Sequence, residues 1–151
     1  MIERFSWRAP LVSAALLAAS VVGRNTIDWW LSPTDDFYAR SVVSTWLGVA
    51  IFTSAGLWTG WRTRSVRAGA AAGVATGLVA AVVVNMVSLG ELVARHDEHT
   101  MAMIGASGGL AEALVLPYAI AVPGACCAAL GAAIAKAAAA IYSPSAKTNS
   151  A

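Results

Sequence analysis

Three arginines, Arg62, Arg64 and Arg67, stand in a six-residue gap between two stretches without any ionisable side chain, residues 41–61 and 68–90. Each stretch meets the roughly 20-residue length that a helix needs to cross about 30 Å of hydrocarbon. A helix in a water-soluble core has no reason to be apolar on every face for so long. The arrangement reads as two membrane-spanning helices joined by a tight cytoplasmic turn. With 58% hydrophobic and 12% charged residues, the 151-residue chain also lies outside the usual soluble composition, and its length suits one domain. The expected fold is therefore all-α: an integral membrane four-helix bundle with short loops and both termini cytoplasmic, in a single domain over 1–142.

The first span is expected at about 5–31. Its apolar run, 9–23, covers only about 22 Å, and Phe5 and Trp7 at one end with Ile27, Trp29, Trp30 and Leu31 at the other extend it to the interfaces. A cleaved secretory signal is the competing reading of 1–23, since Arg4 and Arg8 precede a run of h-region length and Ala18-Ala19-Ser20 supplies small residues. Pro33, Asp35 and Asp36 mark an external turn before the second span at 41–61, whose Trp58 and Trp61 suit the headgroup level. The third span, 68–90, ends in Asn85, Ser88 and Glu91 and leads to a polar loop. The fourth is expected at about 110–135, kinked at Pro117 and Pro123, with 105–109 as an interfacial turn. A re-entrant half-helix over 101–116 is the alternative, disfavoured because non-helical backbone at membrane depth must be shielded. The tail, 143–151, is rich in Ser, Pro, Thr and Asn, a composition of disorder.

Walking these spans across a bilayer puts Arg4, Arg8, Arg62, Arg64, Arg67, Lys136 and Lys147 on one side and Arg24, Arg40 and Arg95 on the other. The excess of cations marks the cytoplasmic side. The Ala, Gly, Val and Arg bias suits a high-GC bacterium, so the expected location is the bacterial cytoplasmic (inner) membrane. A formal net charge of +2, without a basic helix face or tail, gives no footprint for nucleic acid.

Gly69, Gly73 and Gly77 recur every four residues and so share one helix face, where another backbone can approach. Gly56 and Gly60 repeat the pattern in the second span, and Gly124, Ala128 and Ala132 in the fourth. Two uses are open, packing within the chain or a seam with another copy or a partner.

Glu112 is the leading candidate for chemistry, because an ionisable residue in or near a span is costly and is often kept for an ion or a proton. Asn85 is expected at a similar depth. The bland reading places Glu112 in the first turn of the last span, where the helix dipole favours it. His96 and His99 share a face if their loop is helical, with Asp97, Glu98 and Glu91 as oxygen donors, but they lack a third fixed ligand for a metal. Their order is not the His-Glu-x-x-His of metalloproteases. Ser107 sits in a Gly-Ala-Ser-Gly-Gly hinge without the strand-to-helix elbow that a nucleophile of that type needs. Cys126 and Cys127, adjacent in an apolar run, read as packing residues.

No catalytic residue and no cofactor is identified. The leading expectation is a small multi-pass membrane protein acting through helix–helix association, as a homo-oligomer or an accessory subunit of a membrane complex, with membrane lipids around it. The alternative is a small transporter or channel with a proton or ion site near Glu112 and Asn85. A membrane-surface enzyme with a metal at His96 and His99 is a third class.

Overall fold

The computed structural model describes residues 6–30, 37–95, 101 and 109–142, and among these residues the regular structure is entirely helical. The elements are α1 (Arg8–Trp30), α2 (Phe37–Thr63), α3 (Val66–Arg95), α4 (Leu110–Ala119) and α5 (Ala121–Tyr142). The expectations for Phe5, the 105–109 turn, Ser107, His96, His99 and the 143–151 tail lie outside the described residues or rest on them.

Among the described residues, three helical segments are long and apolar enough to cross a membrane: Val42–Thr63, Val66–Gly90 and the joined α4–α5 segment Leu110–Tyr142. Their charges are evenly placed. Arg40 and Arg62 stand 22 positions apart, Arg67 and Glu91 stand 24 apart, and Glu112 and Lys136 stand 24 apart. At about 1.5 Å per residue each leaves a charge-free slab of roughly 33–36 Å, a little more than a hydrocarbon core. Within α1, Arg8 and Arg24 bound an uncharged run of 15 residues.

Proline and glycine punctuate the chain where backbone donors permit. Pro10 lies in the first turn of α1, where its missing N–H would have had no partner. Pro117 sits inside α4 and leaves the Ala113 carbonyl without its usual helical donor. Ile120, in right-handed helical conformation (φ −64°, ψ −19°), separates α4 from α5, and the Gly124 N–H donates to the Ile120 carbonyl at 3.0 Å. Gly109, at φ +98°, opens α4 from a backbone region that suits glycine.

α2 and α3 form a tight antiparallel hairpin and both pack closely on α5, while α1 lies against α2 and α3, and α4 against α3. The interior is made of small side chains: Ala55, Ala72, Ala128 and Ala132 are fully buried, and Thr76 and Pro10 are the largest side chains to be completely enclosed. Large apolar side chains point outwards, among them Val43, Trp46, Met86, Val122, Leu130 and Ile134. In water this distribution would be inverted. In lipid, where the tails are as apolar as leucine, helices gain nothing by hiding large side chains and are held by close backbone approach. A cluster with larger side chains, Ala14, Leu17, Phe52 and Ala80, ties α1 to the hairpin.

Candidate functional site

The glycines of α2 and α3 meet on one helix. A Cβ placed on Gly73 would lie 2.6 Å from the Gly124 carbonyl oxygen and 2.7 Å from the Ala128 Cβ, closer than such atoms approach in folded proteins. On Gly60 it would lie 2.5 Å from the Ala132 Cα, and on Gly77 2.8 Å from the Ala121 Cα. On Gly56 it would fall on the Ala128 carbonyl, and on Gly69 on the Ala132 methyl. Gly124 answers from α5, with the Phe52 ring occupying the space where its side chain would be, and Gly131 sits against the Thr53 backbone. Both hairpin glycine faces are thus filled from within the chain, by the small-residue face of α5.

The pairing follows from the hairpin. Gly60 lies four residues before Arg64 and Gly69 four residues after Ser65, while Gly56 and Gly73 each lie eight away. Positions equidistant from a two-residue turn between antiparallel helices come level with one another, so each pair meets the same α5 residue, Ala132 for the first and Ala128 for the second. That symmetry is visible in the sequence once the turn is known to have two residues.

The turn itself is closed by specific hydrogen bonds. Arg64 adopts φ +56°, and its N–H donates to the Gly60 carbonyl at 2.8 Å, the single-bond form of a left-handed helix cap. The Thr63 hydroxyl donates to the Thr59 carbonyl at 2.9 Å and accepts from the Ser65 N–H at 3.3 Å. Ser65 then caps α3, its Oγ accepting from the Ala68 N–H at 3.3 Å. The Arg62 guanidinium carbon stands 5.7 Å from the centre of the Trp58 ring, and that of Arg64 5.5 Å from the Trp61 ring, within cation–π range.

At the opposite end, the Asn85 side-chain amide donates to the Leu114 carbonyl at 2.8 Å. This bond fastens α4 to α3 in the stretch loosened by Pro117. Glu112 is exposed in the first turn of α4. Its position is two residues from Leu114, about 200° around the helix. Asn85 thus engages the α4 backbone two residues from Glu112, and not the carboxylate. Among the described residues no group of three His, Cys, Asp or Glu is placed to hold a metal ion. Cys126 is exposed on α5 and Cys127 half-buried.

One further contact crosses between helices. The Thr76 hydroxyl, fully buried, donates to the Pro10 carbonyl at 3.4 Å, which fixes the height of α1 against α3. Nothing in the sequence marks that partner, because a backbone carbonyl leaves no trace in residue identity. No protein-family model, curated protein or solved structure matches this chain.

Proposed function

We propose that this chain is a small multi-pass membrane protein that acts through helix–helix association, as a homo-oligomer or an accessory subunit of a membrane complex, in the bacterial cytoplasmic membrane with both termini inside. The observation that carries the reading is the contrast between the two sides of α5. One side carries Gly124, Ala128 and Ala132 and is consumed by the hairpin glycines, whereas the other presents Val122, Cys126, Leu130 and Ile134, all exposed and spaced at four-residue intervals. The joined α4–α5 segment is also the least covered of the three spans, with 18% of its apolar window buried against 33% and 39% for the others. A surface for association is therefore sought on the outer face of α5, and not on the glycine faces, which are already occupied.

Cys126 supplies the test. In a Cys127→Ser chain held in its own membrane, a membrane-permeant oxidant should link Cys126 to Cys126 across a homo-oligomer, or trap a second protein in the accessory case. A chain that stays monomeric and partner-free by native mass spectrometry, with no Cys126 link, would end the association reading and leave lipid as the neighbour of α5.

A further inference from the structure

Four cations gather at one end of the helices. Ala132 of α5 lies against both Gly60 and Gly69, so Lys136, one helical turn further on, comes level with the 62–67 turn that carries Arg62, Arg64 and Arg67. All four side chains are exposed. The acidic positions of α3 and α4 lie towards the other end, Glu91 being 24 positions along α3 from Arg67 and Glu112 being 24 positions from Lys136. Among the described residues of α2, α3 and α5, this end carries positive charge and no compensating negative charge.

Two of these cations are held in place. Arg62 and Arg64 lie over Trp58 and Trp61, whose amphipathic rings belong at the depth of lipid headgroups. A guanidinium stacked on an aromatic face keeps its N–H edge free, and that edge matches the oxygens of a phosphate in a two-pronged hydrogen bond. Arg64 also occupies a left-handed cap position that glycine would adopt without strain. Arginine at that position is a conformational cost that the fold does not require, since the Arg64 N–H would make its bond to Gly60 with any side chain.

Building on the membrane reading above, we propose that Arg62 and Arg64, stacked on Trp58 and Trp61 and flanked by Arg67 and Lys136, bind the phosphodiester headgroup of an anionic phospholipid. The headgroup supplies counter-charge to this cluster, and the indoles set the guanidiniums at its height. The strained cap is kept because it adds a second guanidinium beside the first.

The experiment uses the full chain, first inserted into phosphatidylcholine bilayers and then extracted in mild neutral detergent with equal amounts of phosphatidylglycerol and phosphatidylcholine for native mass spectrometry. Retained phosphatidylglycerol should exceed phosphatidylcholine by about tenfold, the scale of one charge-assisted hydrogen-bond pair. Arg64→Gly and Arg62→Gln should each lower that preference, while Arg64→Gly, freed of its strained cap, should melt at the same temperature as the parent or higher. Equal retention of the two lipids, or an unchanged preference in both variants, overturns the site. Displacement of phosphatidylglycerol by millimolar inorganic phosphate overturns the lipid as its source. A chain that never enters the phosphatidylcholine bilayer overturns the membrane reading and this site with it. Insertion without lipid preference overturns the site alone.

Discussion

The α2–α3–α5 unit and α1 are joined to the same structure by opposite means. In the first, backbones touch through Gly56, Gly60, Gly69, Gly73 and Gly77 on one side and Ala121, Gly124, Ala128 and Ala132 on the other. In the second, a longer side chain does the reaching: Leu17 comes within 3.9 Å of a Cβ placed on Gly48, and a hydroxyl of α3 finds a carbonyl of α1. The charge-free slabs of α2, α3 and α4–α5 match one another, and α1 falls short of them. Its height differs too. Thr76 stands ten positions into α3 and meets Pro10, so α1 begins on the order of 12 Å from the arginine turn, not level with it. Close backbone packing demands matched lengths and a single register. A helix that packs without such glycine contacts can sit out of step.

This difference can be broken from either side. The largest effect is expected at Gly56→Leu, because the new side chain meets the Ala128 backbone, which cannot move aside without parting α5 from the hairpin. A loss of about 3 kcal/mol or more, at the upper end for overpacking, should appear as failure to recover a monodisperse protein in detergent. Gly23→Leu in α1, where nothing lies within 4 Å, is the matched control and should leave recovery unchanged. If both fold equally well, the seam is not what holds the unit together.

A middle-sized effect is expected for Asn85→Leu, which removes the donor to Leu114. Its cost should be about 1 kcal/mol. Amide exchange should quicken over Leu110–Ala119 and stay slow over Ala121–Tyr142, since only α4 relies on that bond. Equal protection of both segments in the variant would show that α4 is held by packing alone. The smallest effect is expected for Thr76→Val, which keeps the shape and removes the hydroxyl bound to Pro10. Hydrogen bonds between helices in membranes average about 0.6 kcal/mol, so the readout is local: faster exchange at the start of α1, with an unchanged melting temperature for the rest. A global loss of stability there would mean that α1 is more tightly integrated than its contacts indicate.

Much of the architecture could be read from residue identity because membranes punish charge and reward small faces. The two uncharged stretches, 41–61 and 68–90, and the arginines between them required only counting. The glycine runs at four-residue spacing identified faces, but a face does not name its partner, and it is the geometry that brings the α2 and α3 runs together on Ala128 and Ala132. The first helix was harder to read. Aromatic residues at both ends mark out a helix, and α1 runs from Arg8 to Trp30, but the Thr76–Pro10 contact, which sets its height, involves a backbone atom common to every residue. The same holds for Asn85, whose partner is a carbonyl and not the carboxylate of Glu112. The left-handed Arg64 was concealed for another reason, since glycine is the residue that ordinarily announces such a cap.

The two-residue turn has a mechanical consequence. Sliding α2 past α3 by one helical turn would displace their ends by about 5.4 Å, close to the full reach of two residues. Arg64 and Ser65 therefore act as a ruler for the whole unit. One extra residue inserted between them would leave every glycine in its own helix intact and yet present each one to the wrong level of α5, so that the spacing of the turn carries as much structural information as the small residues it aligns.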